Sequence, residues 1–432
     1  MTPRRSRARL AAISTIVAGG LAFVGGCADE TARDQASNNA SSGDGLAAGA
    51  TMEEYQAAFE SIDPITLTTQ SPSPKGAATG KNVEDYFAAI TEWSGGKITF
   101  EISYANALVP VTEVDNALND GRLDVGQVLP IYEPAEFPAN AAMVELTVLS
   151  DQRPVLGDLQ GNAWPNQVAF QTPEMVSEFE DKGMKVLVPF YNSGANVLWC
   201  RDERVSLDQL KGMQAAAGGT AQSAEITSIG GTPVSVAYPE LFESLQRGVV
   251  DCSVSSMTVG VLGGFISAAP HGVVDPDAGF ALAPGAMAVS SATWDELPLV
   301  ARQLMWDRID VFLGENVTEK IWPNNAEAVA TAKANGGGIT AFQPDARTAL
   351  QSANEQILTG VESGSAVADP AGLVESSRDA AEEWTTKIEG LELSGIDGVD
   401  YTNYDTWDHA SVDISPFTDA VMESIWAEGR PQ

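Results

Sequence analysis

Two successive runs of strand and helix signals, over residues 65–129 and 185–254, predict an α/β protein with two doubly wound sheets. Hydrophobic residues make up 44% of the 432-residue chain and aromatic ones 7%, so two cores can be built largely from aliphatic side chains. About 370 residues of body also exceed what one ordinary domain holds.

The first run begins with a short helix over 53–61, after which Ile65, Leu67 and Thr69 alternate with polar neighbours as a strand does. Prolines 72 and 74 and Gly76 turn the chain into an amphipathic helix with Val83, Phe87 and Ile90 on one face, stopped at Gly95 and Gly96. A strand over 97–104, a helix over 112–119, a turn at Asp120 and Gly121, and a strand over 124–129 complete a β-α-β-α-β unit. Parallel strands joined by helices place a ligand crevice beyond their carboxyl ends. That rule puts Ser71, Ser73, Asn106, Pro130, Ile131 and Tyr132 beside it.

The second run has strands over 185–189, 195–200 and 213–217, then a helix from Ala221 to a stop at Gly230 and Gly231. An extended segment over 232–236, a helix over 240–247 and a strand over 249–254 repeat the β-α-β order. Further helical patterns cover 294–313, 326–335, 345–362 and 370–388. The glycines 336 to 338 read as a helix stop, because no Lys-Ser or Lys-Thr pair follows to make a phosphate loop.

The beginning of the chain reads as an export signal. Arg4, Arg5, Arg7 and Arg9 precede an apolar run from Leu10 to Val24 that is short for a membrane span. It closes on Gly25, Gly26 and Cys27, small residues before a cysteine, which is what lipoprotein processing requires; residues 1–26 are thus expected to be cleaved and Cys27 lipidated. Residues 28–51 contain no aromatic side chain and suit a flexible tether, so residues 27–61 form anchor, tether and short helix. An extracytoplasmic protein held to the membrane by lipid follows.

Cleavage would remove four of the 24 basic residues and no acid, leaving 20 against 59 acidic, a net charge of −39. Such a surface repels nucleic acid. With Cys27 lipidated, Cys200 and Cys252 remain, and an oxidising exterior favours a disulfide between them; the alternative is two small buried side chains that never meet. The two histidines, His271 and His409, have no ligand partners at metal-binding spacing, so neither metal nor cofactor is expected.

A longer pattern is more specific. The stretch GGTPVSVAYPELFESLQRGVVDC (230–252), preceded by DQLKGM (208–213), resembles the signature of the solute-binding proteins of TRAP transporters, the DctP family. EVDNALNDGRLDVGQVLPIY (113–132) is similar to that family's first-domain passage, FEDKGMKVLVPFYNSGANVLW (179–199) to its domain crossover, and MAVSSATWDELP (287–298) to the opening of its long helix. The resemblance spans about 65–388 and implies a two-lobed, periplasmic-binding-protein-like fold with a cleft between the sheets and long connecting helices. Lobe one would comprise 62–193 and 282–315, and lobe two 194–281 and 316–388. The remainder, 389–432, would be an extension wrapping the surface.

By the same resemblance the chain binds a small molecule without transforming it, acts as a monomer, and delivers its cargo to the membrane subunits of a TRAP transporter. The family most often takes carboxylates, gripped by an arginine with help from an asparagine. At the corresponding places this chain has Ala216, Ser255 and, for a second arginine, Asn196. An unpaired buried carboxylate is costly. The residues therefore favour a neutral or weakly charged polar solute, contacted by Ser71, Tyr132, Trp164, Asn192, Asn196, Trp199 and Ser255. A carboxylate would need a relocated cation, with Lys75, Arg153 and Arg201 as candidates. Competing readings are a receptor for an ABC importer, a structural lipoprotein, or an exported hydrolase. For the last, no Gly-x-Ser-x-Gly or His-Glu-x-x-His string is present, although two carboxylates of a glycosidase need no motif.

Overall fold

The computed structural model describes residues 45–432; the signal segment, Cys27 and most of the tether lie outside the described residues. Strands β1 (Ile65–Gln70), β2 (Ile98–Ser103), β3 (Val125–Val128) and β4 (Met184–Tyr191) come first. They are followed by β5 (Asn196–Cys200), β6 (Gln214–Ala217), β7 (Thr232–Ser235), β8 (Cys252–Ser256), β9 (His271–Val273), β10 (Gly285–Ser290) and β11 (Gly338–Thr340). One sheet has the order β2-β1-β3-β10-β4 and the other β11-β9-β5-β8-β6-β7. This is the mixed α/β architecture of two lobes.

Neither sheet is wholly parallel. In the first, β1 runs parallel to β2 and β3, but β10 is antiparallel to both its neighbours. In the second, β6 is parallel to β7 and β8, whereas β5 is antiparallel to β8 and β9. Both exceptions have one cause. Each enters its sheet directly from the other lobe, through 192–195 or 274–284, and so starts at the cleft side where the other strands finish. A strand that starts where its neighbours end runs against them.

The chain crosses a third time through a helical run: Ser291–Glu296, Leu299–Asp307, Ile309–Glu315, a π-helical turn Asn316–Ile321, and Trp322–Ala334. The expected long helix is therefore preceded by a buried strand at 285–290 and broken into pieces. The three-residue strands β9 and β11 also escape a reading by periodicity, because three residues carry too little alternation.

Both ends of the described chain belong to the body. The helix Met52–Phe59 is capped by Thr51 and Glu54 and buries Tyr55 and Phe59 completely. It is a core element, not part of a tether. The C-terminal segment is likewise built in: Tyr401, Tyr404, Phe417 and Trp426 are buried, each contributing ~1.5–3 kcal/mol by burial. Trp426 Nε1 donates to Leu187 O on β4 at 3.0 Å, and Arg430 pairs with Asp307 at 2.8 Å while donating to Leu46 O at 2.8 Å. The last residues thus hold the start of the described chain in place.

The same segment reaches the back of the hinge. Asp158, fully buried, accepts hydrogen bonds from Tyr404 Oη at 3.0 Å and Trp322 Nε1 at 3.2 Å. Gly194, in the first crossing, has φ +94°, and a Cβ there would sit 3.2 Å from Ile321 and 3.5 Å from Asp158 Oδ1. Left-handed backbone and close packing both select glycine.

Cys200 and Cys252 are bonded and lie directly opposite each other on β5 and β8. The bond closes a loop with a sequence separation of 52 residues. Replacing both cysteines by serine should lower the unfolding free energy by about 2–4 kcal/mol in denaturant titrations. For Asp158, burial pushes the carboxyl up to about 7 against the partial relief of its hydrogen bonds. A carboxyl whose pKa is raised on folding favours the folded state at low pH, and that contribution is lost as pH rises from its unfolded value near 4 to about 7. Asp158→Asn, which keeps an acceptor for Tyr404 and Trp322, should flatten that decline when stability is compared at pH 4.5 and pH 8.

Candidate functional site

The carboxyl ends of β1, β3, β6 and β8 converge on one cavity between the sheets. The cavity has a volume of about 120 Å³. Lobe one contributes Gln70, Gln127, Leu129, Ile131 and Tyr132; lobe two contributes Asn196, Ala216, Ser253, Ser255 and Thr258. Ser193 and Lys320 enter from the crossings. Most of the wall is apolar, with Val111, Val236, Val259 and Leu262 among its members.

Several polar groups on this wall are only half satisfied. Tyr191 Oη donates to Gln127 Oε1 at 2.7 Å, which leaves the buried Gln127 Nε2 without a partner among the described residues. Asn196 Nδ2 donates to Ala281 O, but its Oδ1 has no donor among the described residues, and Thr258 Oγ1 is in the same position. Buried donors and acceptors are ordinarily paired, so these three atoms are open to polar groups of a ligand.

The lobes meet across the mouth. Asn106 Nδ2 donates to Tyr238 Oη at 3.3 Å, and the Tyr238 backbone N–H donates to Tyr132 Oη at 3.3 Å. Asn106 itself has φ +53°, a left-handed conformation that asparagine tolerates better than most residues. Burial pushes the Tyr132 phenol up to about 12, so it stays protonated and retains a hydrogen to donate.

At the hinge end stands Lys320, on the π-helical turn and only 6% exposed. Its ammonium lies 4.9 Å from the centre of the Tyr191 ring and donates to Asn316 Oδ1 at 3.2 Å. Burial alone pushes its pKa down to about 7. The Asn316 carboxamide also accepts from Asn82 Nδ2 at 3.1 Å and donates to Asn162 Oδ1 at 3.2 Å and Asn192 O at 2.8 Å. Lys320 is therefore wired to the first crossing.

Of the seven contacts expected from sequence, Tyr132, Asn196 and Ser255 line the cavity, as does Ala216. Ser71 does not: its Oγ accepts from Ser73 N at 3.2 Å and shapes the loop after β1. Asn192 is held in the hinge, its Oδ1 accepting from Gly194 N at 2.8 Å. Trp164 and Trp199 are fully buried core residues away from the cavity, Trp164 donating to Ser150 Oγ at 3.1 Å; large flat side chains pack best where no space is left. The three candidate cations also lie elsewhere: Lys75 and Arg201 are exposed, and Arg153 is paired with Asp151 and Glu389 at the surface. The cation at the cavity is Lys320, which sequence reasoning does not single out, although it lies at helical spacing from Leu313 and Val317. A lysine on an apolar stripe was the available signal.

Comparison with known proteins agrees with this geometry. Among solved structures, a TRAP solute-binding protein from Rhodoferax ferrireducens T118 in complex with copurified benzoate is 18% identical, with a TM-score of 0.63 over 74% of this chain and 99% of its own. A TRAP periplasmic solute-binding protein from Bordetella bronchiseptica with bound (R)- and (S)-mandelate gives 17% identity and a TM-score of 0.63 over 74% and 99%. An extracytoplasmic solute receptor from Bordetella pertussis binding pyroglutamic acid gives 16% and 0.59 over 72% and 99%. These likenesses establish the two-lobed fold. The model of the bacterial extracellular solute-binding proteins of family 7, DctP, matches residues 70–363, about two thirds of the sequence, and the chain belongs to that family.

Proposed function

We propose that this protein is the extracytoplasmic receptor of a TRAP-type secondary transporter, and that it captures a small organic acid in the cleft and presents it to the membrane subunits. The observation that carries this reading is the cavity between the two sheets, walled by both lobes and by the crossings, with polar atoms on its lining residues that have no partner among the described residues. A solute touching both walls stabilises the closed form over the open one by its extra contacts, and a membrane partner that recognises the closed form thereby senses loading. Lipidated Cys27 and its tether would keep the receptor at the membrane, acting as a monomer.

The acid is preferred to the neutral solute for two reasons. A neutral solute is favoured only where the cavity lacks a cation, and Lys320 lines this one. The solved relatives described above hold benzoate, mandelate and pyroglutamic acid.

Purified protein should show a ligand-dependent thermal shift with some member of an organic-acid panel, worth about 2.7 kcal/mol at 100 times the dissociation constant. Hydrolytic turnover of that ligand, or the lack of any shift and of any copurified molecule in native mass spectra, would contradict the reading. The mouth contact gives a second expectation. Asn106→Ala removes an inter-lobe hydrogen bond and should speed solute release several-fold in stopped-flow experiments while leaving the association rate nearly unchanged.

A further inference from the structure

Resting on the receptor reading, we propose that Lys320 is the cation that pairs the solute's carboxylate in this chain, and that the solute is a compact monocarboxylate with an apolar body. Among the described residues lining the cavity, Lys320 is the one charged side chain; the rest of the wall supplies hydroxyls, amides and apolar surface. An ammonium has three donors. Here one meets Asn316 Oδ1 and the Tyr191 ring flanks the group, and no carboxylate among the described residues pairs with it. A buried lysine in that state is costly unless an anion completes it.

Position supports the assignment. Lys320 projects from a π-helical turn, a rare distortion that concentrates at functional sites. Gln127 Nε2, also unpartnered among the described residues, offers a second donor on the same wall. Ala216, where the family resemblance places an arginine, lines the cavity with a methyl group, so the charge comes from the crossing helix instead of the lobe-two sheet. An anion on Lys320 would also bear on Asn316, whose carboxamide holds Asn192 of the first crossing, so binding and hinge geometry share one group.

One cation sets the charge of the ligand. A second carboxylate would be buried unpaired, at a loss of at least ~100-fold in affinity. Asn196 and Thr258 can meet one or two ligand hydroxyls, but further ones would lie against Val111, Leu129, Val236, Val259 and Leu262. The apolar wall fits a ring or a branched chain.

The test uses calorimetric titration of the mature protein with phenylacetate, 4-methylpentanoate, succinate and the neutral phenylacetamide. Wild type should bind the two monocarboxylates, and bind phenylacetamide and succinate at least about 100-fold more weakly. Lys320→Met should lose at least about 30-fold for the monocarboxylates while remaining folded by circular dichroism. A pH series on wild type serves independently of any variant. Binding should weaken about tenfold per unit above pH 7, because the bound form needs the protonated lysine, which burial has pushed down to about 7. Tyr191 faces it, and Tyr132 and Tyr238 share the wall; burial pushes all three phenols up, so they stay neutral through this range, whereas Asp158, on the helix packed behind the turn, titrates at about 7, and the same series on Asp158→Asn separates its contribution. Unchanged affinity in Lys320→Met, a flat pH series, or capture of neutral solutes in preference to acids overturns the assignment and leaves the receptor standing. Capture of nothing from the panel or from host extract sinks both.

Discussion

The carboxamide of Asn316 joins the third crossing to the first: its oxygen accepts from Asn82 and Lys320, and its nitrogen donates to Asn162 and to the Asn192 carbonyl. A fully used amide in a buried place resists change, because breaking any of its bonds strands a polar atom away from water. The second crossing is held in the same fashion. Ala281 O accepts from Asn196 and Gln222, and Ala281 N donates to the buried Glu225. Two polar knots therefore hold the crossings, and the cavity lies beside both.

That arrangement explains why the strands that follow a crossing run backwards in their sheets. A hinge at the carboxyl ends of parallel strands forces any chain entering from it to leave in the opposite sense. It also places the walls: residues just past β1, β3, β6 and β8 face the space between lobes, and the apolar cores lie behind them. The cleft follows from the topology, while its chemistry depends on a few side chains at those ends.

The C-terminal segment extends beyond the residues matched by the family model, 70–363, and it buttresses the hinge from behind. Tyr404 and Trp322 converge on Asp158, Trp407 packs edge-on against Trp322 with ring centres 4.9 Å apart, and Lys333 pairs with Asp405. These contacts stabilise the helix Trp322–Ala334, which directly follows the π-helical turn that carries Lys320. A lobe motion that tilts that helix must move the segment with it.

Much was legible from the residues in order. Alternation marked β1 and β2, apolar spacing marked the helix with Val83, Phe87 and Ile90, and glycines marked the stops, because these patterns are local consequences of backbone geometry. Topology names Ser71, Ser73, Asn106, Pro130, Ile131 and Tyr132 as neighbours of the crevice, and the cavity lining includes Asn106, Ile131 and Tyr132. What only the tertiary structure decided was which side chains share a space. Trp164 and Trp199, candidate contacts by sequence, belong to the core, and Lys320 lines the cavity, because a side chain's surroundings are set by segments a hundred or more residues away. The direction of β5 and β10 and the burial of the C-terminal aromatics have the same origin, since each depends on contacts that no window along the chain contains.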